Sequence, residues 1–313
     1  MSAGHTGPAA PRIAVGPRLA DWAAEAIRSG GGEAVTLDHD PVGLVWTGGI
    51  VPEDLHGVLA AHPKIAWVQL PMAGVEALTE AGAIDRQRQW TSAKGAFAEP
   101  VAEHALALLL AGLRQLPMRA RARSWGEPAG ATLFDEPVTI VGAGGLATEL
   151  LRLLEPFRSP VTIVRHRPEP VAGAARTVGT DRLAEALAGA RAVVLMLALT
   201  PGTRKLIGRR ELAAMERDAW LVNVARGAVV DTGALVEALR SGQIGGAALD
   251  VTDPEPLPDG HPLWDLPNCL VTPHTADTEE MRRTLLARRI AENVRRLAAG
   301  QELVGLVDPG LGY

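Results

Sequence analysis

The chain has 313 residues, 47% of them hydrophobic and 21% charged, which excludes disorder throughout and suits two packed domains. A formal net charge of -5 gives no basic field for a nucleic-acid backbone, and a single cysteine, Cys269, supports neither a disulfide framework nor a zinc cluster, so no metal site is expected. No apolar run approaches the roughly 20 residues of a membrane-spanning helix, and residues 1–11 read as a loose tail, so a cytoplasmic protein with no membrane partner is expected.

Short apolar runs then alternate with amphipathic stretches. Residues 12–15, 34–37, 43–46 and 65–70 predict strands, with helices at 17–29, 52–61 and 74–81, an alternation that implies βαβ units and a parallel sheet. Residues 99–116 place Val101, Ala105, Leu108, Leu109, Gly112 and Leu116 on one helical face. His104 on that helix reads as a packed structural residue, and Arg119, Arg121 and Arg123 as a solvated helix end. Beyond a Gly- and Pro-containing segment, 126–137, strands are predicted at 138–141, 161–165, 192–197, 220–223, 246–250 and 269–272. Helices fall at 146–154, 180–188, 208–214 and 232–241, and a last one at 278–299. Two doubly wound α/β domains are the economical architecture.

The strand at 138–141 runs into Gly142-Ala143-Gly144-Gly145-Leu146-Ala147 and then a helix. Gly142 suits a tight turn, Gly144 the approach of backbone to a pyrophosphate, and Ala147 close helix packing, which is the pattern of a dinucleotide site at a helix N-terminus. Such sites place an acid at the end of the next strand to bind the ribose 2′-hydroxyl. Here that strand ends in Arg165-His166-Arg167, which reads either as a solvated basic loop or as the partner of a 2′-phosphate. The second reading favours NADP(H), with NAD(H) as the other cofactor it admits.

Three further strand ends carry Val224-Ala225-Arg226-Gly227, Asp250 followed by Glu255, and Thr272-Pro273-His274. Singly, Arg226 reads as a surface ion pair, Glu255 as part of a solvated proline-rich loop, and His274 as a histidine after a turn proline. Together at the carboxyl edge of one sheet they suit reduction of a 2-keto acid. Hydride reaches the carbonyl carbon, a histidine delivers the proton to oxygen, a carboxylate fixes the imidazole, and an arginine holds the substrate carboxylate and the developing oxyanion.

These segments resemble the D-isomer-specific 2-hydroxyacid dehydrogenase family, on Val101-Ala102-Glu103-His104-Ala105-Leu106, Gly142-Ala143-Gly144, Leu199-Thr200-Pro201-Gly202-Thr203-Arg204, Asn223 to Gly227, Glu255-Pro256-Leu257-Pro258 and Thr272-Pro273-His274. The resemblance implies a flavodoxin-like substrate-binding domain at 1–99, completed by 275–313, and a Rossmann NAD(P)-binding domain at 100–274. It implies catalytic roles for Arg226, Glu255 and His274. It also places Thr200, Pro201, Val224, Ala225 and His274 against the cofactor, with Asp250 on the nicotinamide carboxamide. Ala73-Gly74-Val75-Glu76 resembles the family's substrate-carboxylate loop, and Met72 reads as a substrate contact or a core residue. Trp46 resembles the glyoxylate/hydroxypyruvate reductase branch, where it would face the cleft. Asp277, where many members have a small residue, reads as a helix N-terminal residue before Thr278. The expected molecule is a homodimer acting on a small 2-keto or 2-hydroxy acid. The alternatives are a co-repressor-like NAD(H)-sensing module and a phosphoglycerate or formate dehydrogenase relative.

Overall fold

The computed structural model describes residues 10–309, so most of the stretch read as a tail lies outside the described residues. The chain divides into two compact units, one made of the residues up to Phe97 with those from Thr278 onward, the other of Ala98–Asp277.

The first unit holds β1 (Arg12–Gly16), β2 (Glu33–Val35), β3 (Gly43–Trp46), β4 (Trp67–Gln69) and β5 (Gln89–Thr91), all parallel in the order β2-β1-β3-β4-β5. Strands β3 and β4 are buried along their whole length, as central strands covered on both faces must be. The helices Asp21–Ser29 and Glu279–Ala298 lie against each other. Gly30 sits where they meet, and a Cβ there would come within 2.5 Å of the Ala291 carbonyl oxygen. The C-terminal helix is tied to the sheet by polar groups: buried Asn293 donates through Nδ2 to Gln69 Oε1 at 2.9 Å, and Thr91 Oγ1 donates to the same oxygen at 2.9 Å. Asn293 also exchanges hydrogen bonds with the Val304 backbone, and Val307 N–H donates to the Trp90 carbonyl, so the last described residues extend the edge of β5.

The second unit holds β6 (Val138–Val141), β7 (Val161–Arg165), β8 (Arg176–Gly179), β9 (Ala192–Leu195), β10 (Trp220–Asn223), β11 (Gly246–Leu249) and β12 (Cys269–Val271). All run parallel in the order β12-β11-β10-β9-β6-β7-β8. Chain order reverses between β6 and β9, the switch point at which such sheets open a crevice at their carboxyl ends. Helix Ala98–Leu113 packs on β10, and Gly112 permits it, because a Cβ there would lie 2.3 Å from the Trp220 ring.

The predicted helix 99–116 ends earlier than expected. Gln115 takes a positive φ of 54° and a separate helix follows, Leu116–Arg121. Strands β5 and β8 were not expected. Each is short and begins with a polar or charged residue, so neither shows the apolar run by which the other strands were read. Asp277 immediately precedes the helix cap: Thr278 is the N-cap, accepting from Met281 N–H.

Candidate active site

The seven-stranded sheet brings six predicted segments to one edge. Gly142 follows β6, Arg165 closes β7, Thr200 lies beyond β9, Arg226 beyond β10, Asp250 beyond β11 and His274 beyond β12. Gly142 has φ +118° and its Cβ position is filled by the Met196 carbonyl oxygen at 2.1 Å, so only glycine fits. A Cβ on Gly144 would meet nothing within 4 Å, which leaves the N-terminus of helix Gly145–Leu154 open. Ala147 beneath it is fully buried. Ala143 and Leu146 are half-buried and Gly145 is exposed. Tight turn, open face and buried helix contact together fit a dinucleotide pyrophosphate, whose charge the free helix N–H groups would meet.

At the end of β7, Arg165 is held by Glu169, with Nη2 to Oε2 at 3.2 Å, while His166 and Arg167 are exposed. Glu169 is not recognisable in the sequence as the acid at this strand end, because it returns from four positions farther along the loop. Thr200 is braced by Thr203, whose Oγ1 accepts from Thr200 N–H at 2.7 Å, and Pro201 beside it is exposed.

Arg226 stands on a bracket built by Asn223. The Asn223 side chain accepts from Ala225 N–H at 3.0 Å and donates to the Arg226 carbonyl at 3.0 Å, and Val224 and Ala225 are buried beneath. Such a local bond to its own backbone is what Asn does well, and the motif held Asn223 without its role being visible. Arg226 Nη1 donates to the Ala225 carbonyl at 2.8 Å.

His274 is a non-glycine residue at φ +51°. That conformation costs on the order of 1–3 kcal/mol and persists only where its surroundings impose it. Here the His274 N–H donates to the carbonyls of Asp250 at 2.8 Å and Thr272 at 3.0 Å. The imidazole Nδ1 lies 2.6 Å from Glu255 Oε1, with both side chains part-exposed. The structure therefore joins two residues 19 positions apart in the sequence, from the loops after β11 and β12.

Asp250 is buried, and its carboxylate clamps the turn that carries His274. Oδ1 accepts from Thr272 Oγ1 at 2.6 Å and Thr275 N–H at 2.9 Å, and Oδ2 from Ala276 N–H at 3.1 Å. His104 Nε2 adds a contact to Oδ1 at 3.3 Å. Burial raises the pKa of this acid, but the donors, His104 and Thr272 foremost, outweigh it and bring it down to about 2. The described bonds make this carboxylate a clamp on the His274 turn.

In the first unit, the expectation for Trp46 is corrected. It closes β3 but is only 1% exposed, in the hydrophobic core with Ala14, Leu44 and Leu55, and its indole N–H donates to the Gly49 carbonyl. A large ring at the end of a strand covered on both faces goes inward. The Val75 side chain is buried in the same core and Met72 packs against it, while Ala73 is exposed and Gly74 half-buried. Among the described residues no group of three or more His, Cys, Asp or Glu is placed to hold a metal ion, and no helix is long and apolar enough to cross a membrane.

Residues 104–276 match the NAD-binding domain of the D-isomer specific 2-hydroxyacid dehydrogenases. A Corynebacterium melassecola protein described only by its place in the proB 3′ region is 38% identical over 296 residues, covering 92% of this chain and 95% of its own. The glyoxylate reductase of Aeropyrum pernix is 34% identical over 232 residues, covering 70% of this chain and 69% of its own. The crystal structure of a D-isomer specific 2-hydroxyacid dehydrogenase from Xanthobacter autotrophicus, in complex with NADPH and MES, aligns with a TM-score of 0.83 at 31% identity, over 97% of this chain and 100% of that one. With its parallel sheets and its nucleotide turn, the chain belongs to the D-isomer-specific 2-hydroxyacid dehydrogenase family, as an NAD(P)-dependent oxidoreductase.

Proposed function

We propose that the protein reduces a small 2-keto acid, such as glyoxylate or hydroxypyruvate, to the D-2-hydroxy acid with NADPH. The observation that carries this reading is the 2.6 Å contact of His274 Nδ1 with Glu255 Oε1 at the sheet edge that also bears Arg226. When bound, the reduced nicotinamide supplies the hydride to the carbonyl carbon. The chain supplies the rest. Glu255 holds Nδ1, so the proton for the carbonyl oxygen leaves from Nε2 of His274. The Arg226 guanidinium binds the substrate carboxylate and stabilises charge building on the carbonyl oxygen. Exposed Ala73 and half-buried Gly74 lie in the loop that resembles the family's substrate-carboxylate loop, which would make the first unit the substrate domain.

NADPH is favoured by Arg165 and Arg167 at the end of β7, with Glu169 giving way to the 2′-phosphate on Arg165. The Xanthobacter relative was crystallised with that cofactor. A cytosolic homodimer is part of the same reading. It is supported by the apolar side chains Leu116, Met118 and Trp125 left on the surface of the second unit, Trp125 being 97% exposed.

Steady-state rates with NADPH and NADH across glyoxylate, hydroxypyruvate, pyruvate and bulkier 2-keto acids test the proposal. Turnover with at least one small 2-keto acid and a lower KM for NADPH is expected. Turnover at background across the panel would instead favour a nucleotide-sensing binding module.

A further inference from the structure

Helix Ala98–Leu113 contributes one polar side chain to the carboxyl edge of the seven-stranded sheet. His104 Nε2 lies 3.1 Å from Thr272 Oγ1 and 3.3 Å from Asp250 Oδ1. Thr272 uses its own hydroxyl proton on Asp250 at 2.6 Å, so its oxygen faces His104 as an acceptor. Nε2 meets two acceptors and must carry the hydrogen. The direction of the relay is thereby set: His104 donates to Thr272 and Asp250, and Thr272 donates to Asp250. Asp250 in turn receives the N–H groups of Thr275 and Ala276, the two residues that follow His274.

We infer that His104 is a positioning residue for His274, acting through Thr272 and Asp250 on the turn that presents the imidazole to Glu255. The inference rests on the reading of His274 as the general acid. Three observations support it. First, His274 is held in a left-handed conformation that an unassisted histidine rarely adopts. Second, the groups that hold it there, the carbonyls of Asp250 and Thr272, belong to the two residues His104 contacts. Third, Asp250 is 2% exposed, and a buried carboxylate keeps its charge only where its oxygens are supplied with donors. Packing alone at this position would be met by leucine, whereas the relay requires an N–H at the position of Nε2. Because the effect is one of aim, it should appear in turnover and leave binding of the substrate carboxylate, assigned to Arg226, largely intact.

The test compares His104→Leu, His104→Gln and Thr272→Val with His274→Ala as reference, by kcat and KM for glyoxylate with NADPH, NADPH affinity by fluorescence, and thermal unfolding. Glutamine places an amide N–H near the histidine Nε2. The expected result is a loss of about tenfold in kcat for His104→Leu and for Thr272→Val, with KM for glyoxylate and the NADPH affinity within about twofold. His104→Gln should recover kcat to within about twofold of the unaltered protein. Unchanged turnover in His104→Leu, or equal impairment of the Leu and Gln variants, overturns the inference. If His104→Leu does not fold, the Gln and Val variants still decide it. His274→Ala separates the two levels. An active His274→Ala removes the general-acid reading itself, whereas an inactive one beside an unaffected His104→Leu removes only the role of His104.

Discussion

Gly227 and Thr252 are in contact across neighbouring loops so closely that a Cβ on the glycine would lie 1.9 Å from both the carbonyl carbon and the carbonyl oxygen of Thr252. The obstacle is backbone, which cannot swing aside as a side chain tip can. Gly227 follows Arg226, and Thr252 N–H donates to Glu255 Oε2 at 3.4 Å, so this contact sets the loop of the arginine against the loop of the glutamate. Gly227→Ala should lower stability by about 3 kcal/mol, at the upper end of overpacking effects. It should also cost more activity than its loss of stability explains, since both loops must part. Thermal unfolding beside kcat/KM on the folded fraction checks both.

The contact of His274 with Glu255 predicts unequal losses. His274→Ala removes the proton donor and should reduce kcat by a factor of about 10² to 10⁴. Glu255→Gln keeps a hydrogen-bonding group but no charge to hold the imidazole, and should cost about 10- to 100-fold. NADPH affinity, read by fluorescence, should stay within about twofold in both. A kcat near that of the unaltered enzyme in His274→Ala would defeat the assignment.

Cofactor choice should respond to the end of β7 in opposite directions. Arg165→Ala with Arg167→Ala is expected to raise KM for NADPH tenfold or more, leaving KM for NADH within about threefold. Glu169→Gln frees Arg165 from its ion pair. A part-exposed pair is worth up to about 1 kcal/mol, so KM for NADPH should fall by up to about fivefold. A rise in that KM would show that Glu169 takes part in holding the cofactor.

Asp250 makes a prediction for acid stability. Its folded pKa, about 2, lies below the ordinary aspartate value of 3.8 that it takes in the unfolded chain. A depressed carboxylate contributes stability above its unfolded pKa and loses it as pH falls through the folded one. The second unit should therefore lose about 2 kcal/mol between pH 4 and pH 2 from this group. In Asp250→Asn that part of the loss should be absent, although the variant is less stable at pH 7. Urea unfolding midpoints across the interval provide the measurement.

The alternation of apolar runs with helical faces made the doubly wound architecture readable, and the motif residues fell at strand ends because a parallel sheet has only one carboxyl edge. The contents of that edge were less accessible. The exposure of Trp46 could not be read, since a strand covered on both faces carries no alternation to say which side is open. The pairing of Arg165 with Glu169 depends on how a loop turns back. In the sequence His104 shows only as a packed residue, because its acceptors, Thr272 and Asp250, stand 168 and 146 positions away. Asn223 lay in view within its motif, but its bracket under Arg226 depends on a backbone turn.

The bond between Asn293 and Gln69 spans 224 positions of sequence, and this has a consequence for the order in which the molecule can form. Residues 98–277 make a continuous stretch whose seven-stranded sheet needs nothing outside itself. The five-stranded sheet, although its strands come earlier in the chain, lacks the helix that covers it and the partner of Gln69 until residues 279–307 have been made. Loop closure over such a distance is slow. The sheet whose strands come earlier in the chain is thus completed last, and until then it exposes the Gly30 and Gly32 turn against which Ala291 and Val294 of the final helix pack.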